Sequence, residues 1–391
     1  MSTNSVAVEA TGTRPPLGAF LLYFLRLGAF GFGGPIALVG YMQRDLVEDR
    51  KWISKDDYFE GLAFSQLCPG PLAAQLAKYL GWLHSGVLGA TLTGLAFVTP
   101  SFLMVIGLAA AYVHFGQLAW IRGLFYGIGA AVSAIIIRSA WKLIQKTLQK
   151  DVLLWVLFSV LAVTTVWTQS EIVWLFVLCG FVALLVKAPP KFQAWSVPAA
   201  AVAPGLLTGL LGVASISTLD SVFIFFLKAG AFVFGSGLAI LPFLYGGVVG
   251  HYHWLTERQF LDAVAVAMIT PGPIVITSGF IGYLVAGPLG ACAAALAVFL
   301  PPYLLVIFAA PYYRRFAQNR QVKAFVQGVT AAAVGAIAGA AIILTKRAVV
   351  DVPTILIALI AFGVLLGLRR IPEPIVILAA GVAGIVLHHG S

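Results

Sequence analysis

A chain of 391 residues that is 61% hydrophobic and only 10% charged holds far more apolar sequence than the interior of a soluble domain. Uncharged stretches such as Gly86 to Tyr112 and Val352 to Leu368 are long enough to cross about 30 Å of hydrocarbon as helices, whereas a transmembrane barrel would alternate polar and apolar residues in short runs. The formal charge of +10 would suggest nucleic acid in a soluble protein, but most Lys and Arg residues sit in short loops between apolar segments, so no nucleic-acid partner is expected.

Residues 1–16 form a polar tail with no basic region leading into an apolar core, which argues against a cleaved signal peptide. Six hydrophobic segments follow, at about 17–43, 58–83, 86–112, 118–142, 152–168 and 171–187. Gln193 to Leu219 carries no charge and is long enough to span. Six more segments lie at about 219–249, 260–285, 287–313, 323–345, 349–368 and 374–388. The expected fold is an all-α polytopic membrane protein with one membrane unit over 17–190, an apolar connector over 191–218 and a second unit over 219–391. Cys68, Cys179 and Cys292 stand alone in apolar context, without the spacing of disulfides or metal clusters.

The two units are repeats. At a shift of 202 residues, Phe24 to Gly33 matches Phe226 to Gly235, Trp52-Ile53-Ser54 matches Trp254-Leu255-Thr256, and Pro69-Gly70-Pro71 matches Pro271-Gly272-Pro273. One deletion later, at a shift of 201, Gly81, Gly86, Gly89 and Pro100 match Gly282, Gly287, Gly290 and Pro301. Charge placement then orients them. Loop 44–55 holds Arg44, Arg50, Lys51 and Lys55, while its counterpart 246–257 has no Lys or Arg. Loop 113–122 holds only Arg122, while 314–323 holds Arg314, Arg315, Arg320 and Lys323. After the fourth segment come Arg138, Lys142, Lys146 and Lys150 in the first half, and Lys346 and Arg347 in the second. After the fifth segment only the second half is basic, with Arg369 and Arg370. Basic loops face the cytoplasm, so equivalent loops fall on opposite faces and the repeats are expected to be inverted.

The same charge count makes segments 58–83 and 86–112 a single net crossing. Pro69-Gly70-Pro71 is the natural turning point, with 58–67 and 72–83 as half-helices of a re-entrant hairpin. Segment 17–43 is interrupted by Gly31-Phe32-Gly33-Gly34-Pro35 and is preferred as a second hairpin, with a full span as the alternative.

Breaks within membrane segments free backbone N–H and C=O groups, which must then face protein or water. A helix that starts there also presents the positive end of its dipole, an arrangement that binds anions. Four breaks occur in two related pairs, 31–35 with 233–237 and 69–71 with 271–273. The candidate binding backbone is Gly33, Gly34, Gly235, Pro69, Gly70, Pro71, Pro271, Gly272 and Pro273. Arg26 and Lys228 are intramembrane cations at matched positions, with no acid near them in sequence, and favour a dianionic ligand. Lys78, opposite Phe280 in the repeat, is a weaker candidate. Glu60 and Asp262 are matched acids suited to ion pairing or proton coupling. Asp57 is better explained by capping, since Ser54-Lys-Asp-Asp57 and Thr256-Glu-Arg-Gln259 resemble capping boxes. Trp52 and Trp254 fit interfacial anchors. The histidines lack ligand spacing, so no metal or other cofactor is expected. No nucleophile motif or phosphate loop supports catalysis, and a membrane-embedded enzyme is the least supported alternative.

Phe30-Gly31-Phe32-Gly33-Gly34-Pro35, Trp52-Ile53-Ser54, Cys68-Pro69-Gly70-Pro71 and Thr270-Pro271-Gly272-Pro273 resemble the chromate ion transporter family in its long, two-domain form. The resemblance covers almost the whole chain. It departs from the glycine pattern where Gly235-Ser236-Gly237 replaces Gly-Gly-Pro. It implies secondary transport of chromate out of the cell, and so chromate resistance, with sulfate as a structural analogue. The expected location is the inner (plasma) membrane, multi-pass. Uptake or exchange of sulfate or another oxyanion is the alternative, and a homodimer is left open.

Overall fold

The computed structural model describes residues 15–32, 34–116, 118–168, 173–189, 218–231, 237–313, 319–367 and 371–388. Residues 190–217, and with them nearly all of the connector 191–218 and most of the uncharged stretch from Gln193, lie outside them. All regular structure among the described residues is helical. In the first half the helices are α1 Leu17–Phe30, α2 Gly34–Met42, α3 Lys55–Leu67, α4 Leu72–Phe115, α5 Ala119–Leu148, α6 Val152–Thr168 and α7 Val173–Lys187. In the second they are α8 Thr218–Ala231, α9 Leu241–Tyr245, α10 Glu257–Ile269, α11 Thr277–Ala309, α12 Arg320–Ala348, α13 Val352–Gly367 and α14 Glu373–His388. Among the described residues, four stretches are long and apolar enough to cross a membrane: Leu72–Phe115, Trp120–Leu148, Ile274–Tyr312 and Arg320–Ala348. The protein is an all-α polytopic membrane protein.

The breaks seen in sequence are structural. At 13 residues, α3 reaches about 20 Å, too short for the hydrocarbon core. It stops at Cys68, and Pro69-Gly70-Pro71 leads into the first arm of α4. Gly61 and Phe64 pack on Tyr79, so α3 and that arm fold together as a hairpin. The arm ends at Ser85 (φ −146°, ψ 33°) and Gly86 (φ 60°, ψ −145°), where only glycine is at ease, and the chain doubles back into the long arm 87–115. A Cβ on Gly81 would stand 2.5 Å from the Gly89 carbonyl oxygen, a contact that continuous helix, rising ~1.5 Å per residue, would forbid. In α11, Ala286 (φ −143°, ψ 29°) and Gly287 (φ 62°, ψ −155°) repeat the bend, with Gly282 against Gly290.

Other local geometry recurs as well. π-Helical turns end α2 (Gln43–Asp49) and follow α9 (Gly246–His251). Each is followed by a residue of positive φ, Lys51 (53°) or His253 (52°). Ser54 Oγ accepts the Asp57 amide at 3.1 Å, and Thr256 forms a full capping box with Gln259, as the sequence suggested. The basic residues after the fourth segment are a correction. Helix α5 continues to Leu148, so Arg138, Lys142 and Lys146 are helical rather than in a loop, and the helix stops only at Gln149 (φ 45°). Residues 143–148 are mostly good helix formers, which explains the extension.

Packing links the halves in reciprocal fashion. Helices α6 and α7 pack on α12 of the second half, while α13 and α14 pack on α5 of the first. Glycines allow the close approaches: Gly127 of α5 abuts Ala380, and Gly328 of α12 abuts Cys179. Helix α1 packs on α4 through Gly28 against Phe97, and α8 on α11 through Gly230 against Val298, pairs that the repeat relates. Finally, α4 packs on α11, and each Pro-Gly-Pro tip reaches the long arm of the other half, Gly70 at Pro302 and Gly272 at Ser101.

Candidate functional site

Helix α1 ends with the Gly31 amide donating to the Leu27 carbonyl at 2.8 Å, and α2 restarts at Gly34 (φ 74°). In the other half α10 ends at Thr270. Gly272 (φ 96°) turns the chain, and the 3-10 turn Ile274–Ile276 leads into α11. These two breaks meet. The Gly272 amide donates to the Gly31 carbonyl at 3.1 Å, and Ser101 of α4 lies directly against Gly272 while its hydroxyl donates to the Gly28 carbonyl at 3.2 Å. Around this junction is a small, open pocket of about 20 Å³, lined among others by Gly31, Phe32, Gly34, Thr270, Gly272 and Glu373. Gly34, Ile274 and Glu373 open α2, the turn into α11, and α14, so the first turns of these elements line one cavity. Unpaired N–H groups at such ends favour an anion.

The other tip occupies the related position. Gly70 (φ 137°) sits where a Cβ would lie 2.7 Å from Pro302 Cβ, and Pro302 is the repeat equivalent of Ser101. Pro69 accepts from Gln75 Nε2 at 2.7 Å. Pro71 and Pro273 cap the helical turns that follow each tip, and Pro271 opens the second. Gly33, Gly235 and the break 232–236 lie outside the described residues.

The charged candidates are dispersed. Arg26 is exposed on α1 beside Leu22, Leu25 and Phe30, opposite the buried stripe of Phe20, Phe24 and Leu27. Lys228 is likewise exposed on α8. Neither lines the pocket. Glu60 accepts from Tyr79 Oη at 3.2 Å, and the buried Asp262 accepts from Tyr112 Oη of the opposite half at 2.6 Å. Lys78 is buried in the first arm of α4, with Nζ 5.3 Å from the Phe299 ring centre.

Sequence reasoning missed one pair. Arg138 Nη1 lies 3.6 Å from Glu373 Oε1, and Glu373 lines the pocket. Reading Arg138 as a loop charge hid this. The apolar run from Ile135 to Ile137 immediately before it was the signal that it belongs inside a helix.

The comparisons with known proteins agree with this architecture. A family profile described as Chromate transporter matches residues 18–184 and again 221–385. The chain is 54% identical over 401 residues to the chromate transport protein of Cupriavidus metallidurans, covering 99% of this chain and 98% of that one. It is 53% identical over 377 residues to the probable chromate transport protein of Synechococcus elongatus, covering 93% and 94%. It is 31% identical over 401 residues to the chromate transport protein of Pseudomonas aeruginosa, covering 97% and 95%. No solved structure matches it significantly. With both profile matches falling on the helices that carry the meeting tips, the chain belongs to the chromate transporter family.

Proposed function

We propose that the protein exports chromate across the plasma membrane as an inverted-repeat carrier, and so confers chromate resistance. The observation that carries this is the hydrogen bond from the Gly272 amide to the Gly31 carbonyl. It joins breaks from opposite halves at a pocket ringed by helix starts, the arrangement expected of a secondary-transporter anion site. The names of the relatives favour a carrier over an enzyme and chromate over other cargo.

Inversion is supported by the α4–α11 contact. Thr91 Oγ1 meets Tyr303 Oη at 2.6 Å. Thr91 is five residues past Gly86 (91 − 86), whereas Tyr303 is sixteen past Gly287 (303 − 287). Parallel helices related by the repeat would place them about 16 Å apart along the axis, at ~1.5 Å per residue. Long arms that run in opposite directions, as a two-fold axis in the membrane plane requires, would bring the two hydroxyls together. Arg26 and Lys228 join the proposal as exposed cations five residues from the breaks, where they attract the ion to the site rather than enclose it.

A chromate dianion leaving an inside-negative cell gains roughly 4.6 kcal/mol per 100 mV, at about 2.3 per charge. At about 1.4 kcal/mol per tenfold ratio this sustains a gradient of order 10³ without a coupled ion. The test is flux into and out of proteoliposomes, with chromate and sulfate assayed separately and the potential set by a potassium gradient. Potential-driven chromate flux is expected. Flux equal to that of protein-free liposomes for both ions would refute oxyanion transport, and sulfate flux alone would reassign the cargo.

A further inference from the structure

The first half buries a group of polar side chains that its repeat replaces with apolar or satisfied ones. Lys78 is 3% exposed, and its Nζ, like the other unpartnered atoms named below, has no hydrogen-bond partner among the described residues. Its stem lies along the long arm of α4, where a Cβ on Gly94 would stand 3.2 Å from Lys78 Cγ. Gln75, three residues earlier and so on the same helical face, is 0% exposed and leaves Oε1 without a partner. Thr93, next to Gly94, is also 0% exposed and leaves Oγ1 without one. Lys78 and Thr93 lie where the two arms of α4 press together, against Gly94 and Gly81, Lys78 also faces Phe299 of α11, and Gln75 sits one turn earlier against the Gly70 tip.

An unpartnered cation and unpartnered polar atoms are costly inside a membrane protein and mark function by default. The repeat supplies an internal control. At the shift of 202 that holds through the tips, Gln75 and Lys78 match Thr277 and Phe280, and at the shift of 201 that holds beyond them Thr93 matches Ala294. Thr277 Oγ1 donates to the Ile274 carbonyl at 2.7 Å, and Phe280 packs on Tyr112 with ring centres 5.5 Å apart. One hydroxyl of that arm, Ser278 Oγ, is unpartnered, but it is neutral and stands alone. The same hairpin thus folds without a buried cation, so packing does not explain Lys78.

We propose that Lys78, Thr93 and Gln75 form an inner binding site for the transported oxyanion, one per chain and in the first half only, seen here closed. The inference rests on the reading of the protein as an oxyanion carrier. Lys78 brings the charge and up to three N–H donors, Thr93 a hydroxyl, and Gln75 an amide that turns from the Pro69 carbonyl. The ion reaches them when the hairpin of α3 and the first arm of α4 moves away from α11.

The experiment uses the full chain in lipid nanodiscs, with equilibrium binding of chromate and of sulfate and with the thermal midpoint of the ligand-free protein. Wild type should bind about one oxyanion per chain. Lys78→Met should weaken binding about tenfold or more while the ligand-free midpoint stays equal or rises, because Met fills the space without a charge. Lys78→Arg should retain part of the affinity, and Thr93→Ala should fold and bind several-fold more weakly. An unchanged dissociation constant in Lys78→Met, or in Thr93→Ala should the Met variant not fold, overturns this site while leaving transport intact. A wild type that binds neither ion refutes the carrier reading itself.

Discussion

Replacing Gly272 by Ala tests the contact on which the proposed site rests. Gly272 holds φ at 96°, where a side chain costs about 1–2 kcal/mol. The added Cβ would overlap Ser101 Oγ and stand 3.0 Å from Ser101 Cβ, an overpacking of about 1–3 kcal/mol. The expected destabilisation is therefore roughly 2–5 kcal/mol, and flux per folded molecule should fall as Gly272 is pushed off Gly31. Combining it with Ser101→Gly separates the two causes. That change removes the obstructing atoms but not the backbone strain, so the double variant should be about 1–3 kcal/mol better than the sum of the singles. Gly70→Ala should behave alike at φ 137°, with Gln75 and Pro302 as obstacles, both 2.7 Å from the new Cβ. Denaturation of the purified variants and proteoliposome flux are the measurements. A Gly272→Ala protein within about 0.5 kcal/mol of wild type, the range of an ordinary surface substitution, and with full flux would show that the tips are not held in this contact.

Single cysteines at Lys51 and at His253, introduced after the three native cysteines are removed, should react with an impermeant reagent from opposite faces; reaction from one face would sink the inverted repeat. Arg26→Gln and Lys228→Gln should each weaken chromate binding without loss of fold, and an unchanged dissociation constant in both would remove these residues from the ion's path. Asp151, in the turn before α6, lies 2.5 Å from Lys187 Nζ, whose hydrogen bond holds its carboxyl below the usual carboxylate range. The stability this adds is present above the ordinary carboxylate pKa of about 4 and is lost as pH falls through the lower folded value. Asp151→Asn should accordingly cost at most about 1 kcal/mol near neutrality, since both groups are partly exposed, and should flatten the acid limb of the stability curve.

The hairpins were legible in the sequence because their causes are local. Pro69-Gly70-Pro71 stops a helix wherever it stands, Gly86 permits a bend that other residues resist, and Ser54 and Thr256 cap the helices that follow. Long-range partners were not legible. Hydropathy marks α6, α7, α13 and α14 as apolar, but nothing in an apolar face says that α6 and α7 belong on α12 rather than on α5. Arg138 and Glu373 sit in different halves, so their pairing has no sequence signature. Arg26 was singled out for its match to Lys228, yet the stripe of Phe20, Phe24 and Leu27 already turns it outward. Because α1 is apolar on nearly every face, that stripe did not stand out.

In an inverted-repeat carrier, the inward-open and outward-open states interconvert when the halves exchange conformations, so the parts that bend and slide must be near copies. Gly86 with Gly287, Gly70 with Gly272 and Lys51 with His253 meet that requirement down to the sign of their dihedral angles. The ion itself imposes no such symmetry. A tetrahedral dianion needs charge and donors from whichever half can supply them, and a second copy of a buried cation would only add its desolvation cost. On the proposed reading, positions where the halves differ are where the chemistry would be placed: Ser101 opposite Pro302, Lys78 opposite Phe280, Thr93 opposite Ala294. Ser101 touches the Gly272 tip, and Lys78 and Thr93 line the closed seam beside it in α4. On the proposed reading, α4 of the first half would therefore carry most of the polar groups that meet the ion, facing α11 of the second.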